Sequence, residues 1–400
     1  MPWTLIVSLI VFAPLAGINI YVGRTLFRDL TRIRAWNRNV VRWVVVGTLI
    51  FVNLLPVVFL AAYLVAGRGV VPAFAGDVPS VDLFLTYPFW MALVISVQLL
   101  VLFGLLDIAG FVIKRVVPSF AVTWNRRRPA ITVSVAAFVA VYSLVVIVRD
   151  TWTVRIVERE VSLPQRYKAL SGFRIAQVSD VQGDGRTTPE KLREYVSTVN
   201  SLRPDLVLFA GDLVTSGTLY IDSTAAILGG LKARYGSIAA IGDHDIFSRK
   251  SMVLEALAGA GVTVVEDSTL AVKTDSETIA VTVVTYTYSQ KPSNGRLGDL
   301  LASADDRYRI LLVHQPAETL VNLAANRGYQ LFIAGHTHGG GIAFGVPGLF
   351  LIAPAHAESD YVSGFYQVNN LLVSVTNGLG FTLAPVRFHA PAEIVMITLR

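Results

Sequence analysis

At 400 residues the chain exceeds one average domain and has room for two or three folding units. With 53% hydrophobic against 16% charged residues and a mean hydropathy of +0.57, it carries too little charge to coat a wholly soluble surface, which points to a membrane. The net charge of +6 splits into 13 Lys+Arg against 4 Asp+Glu (+9) over residues 1–149 and 21 against 24 (−3) beyond, which argues against nucleic acid as a partner of the second part; the lack of cysteine excludes disulfides, thiolate metal sites and cysteine nucleophiles.

In chain order, four apolar runs come first, at 3–22, 43–66, 88–113 and 130–148, with Asp107 the one interruption of the third. Each approaches the roughly 20 residues that cross a bilayer as a helix, so the reading is a four-helix transmembrane unit. Arg24, Arg28, Arg32, Arg34, Arg38 and Arg42 crowd the first connection, and Lys114, Arg115, Arg126, Arg127 and Arg128 the third, whereas the second has Arg68 against Asp77 and Asp82. Because positive residues are retained inside, these connections are cytoplasmic, and the part after Arg149 is expected on the extracytoplasmic side of a cell-membrane, multi-pass protein. The first run has no basic n-region and no clear cleavage site, so it reads as a retained helix. Asp107 needs water or a partner such as Lys114 or an arginine of the first connection. A functional path and an interfacial anchor both fit it.

A linker and first strand are expected over 150–171. From there β-branched runs alternate with amphipathic stretches, an α/β pattern. Predicted strands lie at 153–156, 174–178, 206–210, 238–241, 263–266, 279–285, 310–313 and 331–334, and predicted helices at 189–202, 250–259 and 317–326, the first with Thr188 as N-cap and Pro189 in its opening turn. Five strands end in polar residues: Ser179-Asp180, Gly211-Asp212, Gly242-Asp243-His244-Asp245, His314, and Gly335-His336-Thr337-His338. Ligands of open α/β sheets bind outside the carboxyl ends of strands, so these five sets can converge. They hold four of the six histidines of the chain, which weighs against chance turns.

These motifs resemble the calcineurin-like metallophosphoesterase family, whose pattern runs DxH, GD, GNHD or GNHE, a lone His and GHxH. The resemblance covers about residues 172–399, taken as the phosphoesterase domain 172–400, and Gly335 through Gly340 is its most specific part. The tail from Asn377-Gly378-Leu379-Gly380 through Pro385-Val386-Arg387 to Pro391-Ala392-Glu393-Ile394 looks like the branch in which this domain follows membrane spans or an export signal. The resemblance implies an α/β fold in which the transmembrane unit precedes a β-sandwich flanked by helices, with two divalent ions (Mn, Fe, Zn or Mg) at its edge. By the same resemblance Asp212 bridges the ions, Asp180 and His338 hold the first, His314 and His336 hold the second, and His244, oriented by Asp245, faces the substrate. Such a pair, roughly 3.5 to 4 Å apart, lowers the pKa of water to make hydroxide and clamps phosphate oxygens.

Two positions depart from the pattern. Gln182 stands where the family has the histidine of DxH, and an amide oxygen is a poorer ligand for zinc or iron; Asp184 could compensate if its loop turned inward. Asp243 replaces the asparagine of GNHD, and with Asp180 and Asp212 it would leave two divalent ions roughly one positive charge instead of about two. His356 and Arg387 are read as structural polar contacts rather than phosphate ligands. The leading expectation is a membrane-bound hydrolase of a phosphomonoester or phosphodiester, with membrane lipids as neighbours and a phospholipid or lipid-linked phosphate among its candidate substrates. The alternatives are a weak or inactive relative acting as sensor, scaffold or assembly factor, and a transporter or channel for which Asp107 is the motive.

Overall fold

The computed structural model of the chain describes residues 3–33, 37–67, 76–302, 306–381 and 383–400; Arg34 and Arg68 lie outside them. The chain forms two compact units, Met1–Arg149 with Leu383–Phe388, and Asp150–Thr382 with His389–Arg400.

The first unit is helical: α1 (Trp3–Leu30), α2 (Arg38–Val52), α3 (Leu54–Ala66), α4 (Tyr87–Val116) and α5 (Ala121–Trp152). Among the described residues Leu5–Leu30, Pro79–Val116 and Pro118–Trp152 are long and apolar enough to cross a bilayer, and α2 with α3 makes a fourth span if the pair, bent by 46°, counts as one. The unbroken second span expected at 43–66 is therefore two helices. Pro56 removes a backbone donor and crowds the carbonyl four residues before it, which accounts for the break beside Asn53. Side chains such as Val65, Val122 and Phe138 point outward, as a lipid-facing surface requires.

The first helix runs to Leu30, beyond the expected end at residue 22, so Arg24, Arg28 and Asp29 are helical rather than loop residues. Asp29 is fully buried, accepting from Arg28 Nε (2.9 Å) and Thr132 Oγ1 (2.8 Å), with Arg128 Nε at 3.5 Å. Asp107 pairs with Arg128, accepts from the Tyr21 hydroxyl (2.6 Å) and has Arg28, an arginine of the first connection as expected, at 3.9 Å. Asp107 is thus not a lone charge in a span. The two carboxylates and two guanidiniums tie α1, α4 and α5 together.

In the second unit β1 (Arg155–Val161) follows α5 directly, so the strand expected at 153–156 starts later, because α5 continues to Trp152. After β1 come β2 (Arg174–Val178), α6 (Pro189–Ser201), β3 (Leu206–Phe209), α7 (Ile221–Leu228), β4 (Ser237–Ala239), α8 (Asp243–Gly259) and β5 (Thr263–Val264). Then follow β6 (Ser268–Lys273), β7 (Thr278–Val284), α9 (Asn294–Leu301), β8 (Tyr308–Val313), α10 (Glu318–Asn326) and β9 (Leu331–Ala334). A hairpin of β10 (Phe344–Val346) and β11 (Phe350–Ile352) precedes β12 (Gly364–Val368), β13 (Leu371–Val375) and β14 (Glu393–Leu399).

Among the described residues the long strands make two six-stranded sheets, ordered β1-β14-β2-β3-β4-β5 and β12-β13-β9-β8-β7-β6, with β2, β3, β4 and β5 mutually parallel in one and β7, β8, β9 and β13 in the other. The central strands β2, β3, β8, β9 and β13 are buried on both sides. Leu206 and Leu208 meet Ile310, Leu312, Leu331 and Ile333 between the sheets, while Val207 and Phe209 pack outward against α6, α7 and α8, and Leu311 and Phe332 against α9 and α10. This is a four-layer sandwich, and double burial is why these strands read as continuous apolar runs.

The helix expected at 250–259 is the second part of α8; non-helical backbone at Arg249 (φ 175°, ψ 89°) separates it from a short helical segment that opens at Asp243. Asp245 accepts the Gly242 N–H (2.9 Å), so two acidic residues sit in its first turn, where backbone N–H groups favour them. Replacing Ile310, fully buried between the sheets, by alanine should lower unfolding stability by about 2–5 kcal/mol. Denaturant titration of the purified protein checks this; a midpoint unchanged from wild type would contradict the packing described.

Candidate metal centre

The parallel strands of both sheets deliver their carboxyl ends to one edge. Asp180 follows β2, Asp212 follows β3, Asp243 opens α8 after β4, His314 follows β8, and the turn Gly335–His338 follows β9. Holding these side chains close bends the backbone out of ordinary regions. Nine described non-glycine residues have positive φ, and five of them are Asp180 (53°), Gln182 (49°), Asp212 (62°), His336 (72°) and His338 (50°). Such strain gathers at functional sites because the surrounding fold must enforce it. Gly211, at φ 94°, permits close approach: a Cβ there would stand 2.6 Å from the Gly242 nitrogen.

Two clusters result. Asp180, Asp212 and His338 offer ligand atoms all within 4.8 Å of one another, and so do Asp243, His314 and His336. Asp212 joins them, its Oδ2 lying 3.4 Å from His314 Nε2, while Asp243 Oδ2 is 3.1 Å from His336 Nδ1 and 3.5 Å from His314 Nε2. Asp180 Oδ1 lies 3.4 Å from His338 Nε2. Main-chain donors hold the carboxylates: His336 N–H reaches Asp180 Oδ2 (3.1 Å), His244 N–H reaches Asp212 Oδ1 (2.9 Å) and Tyr288 N–H reaches Asp243 Oδ1 (2.7 Å).

Burial and charge pull these groups in opposite directions. Burial favours neutral His314, but Asp212, with Asp180 and Asp243 behind it, raises its pKa well above the ordinary value of 6.5. For His336 burial also favours the neutral ring, and Asp243 and Glu358 overcome it. Burial raises the Asp180 pKa above the usual carboxylate range. Asp212 is driven down despite burial, chiefly by His314 and then His244. Burial and the neighbouring Asp212 charge push Asp245 up to about 7.

Several roles differ from the sequence expectation. Asp245 accepts the main-chain N–H groups of Asp212 (2.9 Å), Leu213 (2.7 Å) and Gly242 (2.9 Å), tying the β3 and β4 loops together, so orienting His244 falls instead to the Thr215 carbonyl at Nδ1. Asp184 does not turn inward: it is buried, capping Arg186 and Thr187 N–H groups (2.8 Å each) and accepting from Thr215 Oγ1 (2.7 Å). Gln182 donates from Nε2 to Asp212 Oδ2 (2.8 Å). His356 meets the Ala353 backbone, a local turn contact. Arg387 is buried, in the segment grouped with the helical unit.

Sequence reasoning missed Tyr288, Gln315 and Glu358. Tyr288 lies just past β7, another parallel strand aimed at the same edge, and its hydroxyl stands 3.2 Å from His336 Nε2 and donates to Glu358. Glu358 Oε2 is 3.3 Å from that nitrogen, and Gln315 Nε2 donates to Asp243 Oδ2 (2.9 Å). The signal for Tyr288 was the end of β7; Glu358 lay far along an irregular segment with none.

The residues present fit a metal pair. Asp180 Oδ1 and Gln182 Oε1 are buried with no hydrogen-bond partner among the described residues, an expense that a cation would remove. Bound ions would be held by Asp180, Asp212 and His338 on one side and by Asp243, His314 and His336 on the other, with Gln182 Oε1 the available amide oxygen.

The proton balance gives a test. In the metal-free protein, protonated His314 and His336 stabilise the fold below the ordinary histidine pKa of 6.5, and that contribution fades as pH rises through their raised values. A metal must displace these protons, so its apparent affinity should rise with pH. Calorimetric titration with manganese near neutrality, in buffers of different ionisation heat, should show net proton release; uptake or no exchange would contradict the assignment.

Comparison with known proteins places this geometry. The family model "Calcineurin-like phosphoesterase" matches residues 173–340. An uncharacterized metallophosphoesterase of Bacillus subtilis, YkuE, is 32% identical over 236 residues, 58% of this chain and 80% of that protein. A Danio rerio protein named as a transmembrane protein with metallophosphoesterase domain is 27% identical over 336 residues, 79% of this chain and 75% of that one, an alignment long enough to reach into the helical unit. Its Bos taurus namesake is 25% identical over 293 residues, covering 68% and 62%. With apolar helices preceding two sheets whose strand ends carry the family's acids and histidines, the chain belongs to the calcineurin-like metallophosphoesterases.

Proposed function

We propose that the chain is a membrane-bound, metal-dependent phosphoesterase that hydrolyses a phosphomonoester or phosphodiester at the extracytoplasmic face. The observation that carries this reading is Asp212 standing between the two clusters. When bound, a divalent pair supplies the acidification of water and the charge that offsets phosphoryl oxygens. The chain's own contribution is positioning. Asp243 is held at both oxygens, by Tyr288 N–H and Gln315 Nε2, and Asp212 is held by His244 N–H and the Gln182 amide. With its proton on Nδ1 toward Thr215, His244 presents Nε2 as the atom that can contact a phosphoryl oxygen or, when protonated, donate to the leaving alkoxide.

A second reading, a weak or inactive relative serving as sensor or scaffold, is supported by Gln182. Its amide hydrogen occupies a lone pair of Asp212 Oδ2 that a bridging carboxylate would otherwise offer to a cation.

Hydrolysis of an aryl phosphodiester by the purified protein, with manganese, zinc or magnesium, separates the two. Asp212→Asn should lower turnover beyond the roughly 10- to 100-fold typical of losing an outer-shell partner. Gln182→His should tighten metal binding and raise turnover. Equal, background rates for wild type and Asp212→Asn with every metal would favour the sensor reading.

The sidedness rests on the arginine-rich first and third connections. Since the chain lacks cysteine, Ser216→Cys should react with an impermeant thiol reagent on intact cells. Reaction only after permeabilisation would reverse the assignment.

A further inference from the structure

We propose that the β10–β11 hairpin is a lipid-inserting element that seats the metal centre at the headgroup level of a bilayer. Among the described residues of the phosphoesterase unit nine large apolar side chains are exposed, and four lie within residues 346–352: Val346 (51%), Leu349 (77%), Phe350 (53%) and Ile352 (64%). The sequence between Arg327 and Glu358 has no Asp, Glu, Lys or Arg. Among the described residues the two strands pair only with each other, outside both large sheets. An isolated hairpin is marginal in water, and soluble proteins guard such edges with charges that this one lacks. Something apolar must cover it.

Chain continuity argues that the cover is lipid. Leu383–Phe388 belongs to the unit of apolar helices, where Phe388 stands edge-on to Tyr142 of α5 with ring centroids 6.2 Å apart. The next residue, His389, holds the foot of the hairpin through Nδ1 at 3.1 Å from the Ala343 carbonyl oxygen. The hairpin is thus fastened one residue from a segment that belongs to the bilayer-crossing unit. With a net charge of −3 beyond residue 149, the phosphoesterase part offers no basic field for anionic lipid, so insertion is apolar in origin.

The same hairpin frames the candidate centre. It leaves the His336–His338 turn just after Gly341, and on its return Glu358 reaches Tyr288 and His336. Inserted, it would bring a phosphoester carried on a lipid headgroup to the metal-binding edge. That consequence rests on the phosphoesterase reading; the insertion does not.

The test uses the full chain reconstituted in phosphatidylcholine vesicles, with and without phosphatidylglycerol, and a polarity-sensitive fluorophore on Leu349→Cys. Ser276→Cys, on the exposed β6–β7 turn, is the control. The probe at 349 should be quenched by lipids brominated on their acyl chains and shielded from aqueous iodide, at a depth of about 5–10 Å and equally in both lipid mixtures. The control should show the reverse. Quenching at 349 by iodide alone, or by neither agent because protein covers it, overturns the proposal. For the substrate consequence, Leu349→Asp with Phe350→Asp should lower hydrolysis of a vesicle-borne phosphoester about tenfold while sparing a soluble aryl phosphodiester. Equal losses on both substrates overturn that consequence. If wild type hydrolyses neither, the phosphoesterase reading fails while the quenching result stands.

Discussion

Asp180, Asp212 and Asp243 bring three carboxylates almost wholly out of water and within reach of the same imidazoles. Like charges so placed repel one another and are each costly to bury, a crowding that raises the Asp180, His314 and His336 pKa values and favours a cation at the site. Much of the second unit can be understood as the frame that enforces this crowding. Two sheets packed face to face aim their parallel strands at one edge, and the apolar layers on both sides leave those strands no freedom to retreat. Left-handed backbone at Asp180, Asp212, His336 and His338 is the local cost.

The departures from the family pattern act on the same balance. Asp243 adds a carboxylate where an amide is usual, yet both its oxygens are engaged by Tyr288 and Gln315, so it arrives with its charge spread over fixed donors. Gln182 removes an imidazole and hands Asp212 a hydrogen bond instead. Gln182 thus leaves an amide oxygen where the family has an imidazole nitrogen, while Asp243 keeps an oxygen in place and adds charge.

The helical unit solves a related problem in a drier setting. Asp29 and Asp107 pair with Arg28, Arg128 and Arg32 in a cluster that joins α1, α4 and α5, where an unpaired charge would be costly among apolar helices. Paired in this way, these charges join helices whose outward faces are apolar.

The sequence by itself determined the apolar helices, the α/β alternation, and the Asp and His residues at five strand ends, because these are carried by local composition, period and chain order. It could not reveal the break at Asn53 between α2 and α3, whose reading as one span or two depends on geometry. Nor could it separate the role of Asp245 from that of Thr215, since both lie near His244 in space and only the packed loops decide which oxygen meets its ring. Tyr288 came to His336 from just past a predicted strand end, whereas Glu358 came from an irregular segment with no periodic signature. Local sequence set which groups stand at each strand end; contacts between residues distant along the chain, formed only when the two sheets close, decided what each one touches.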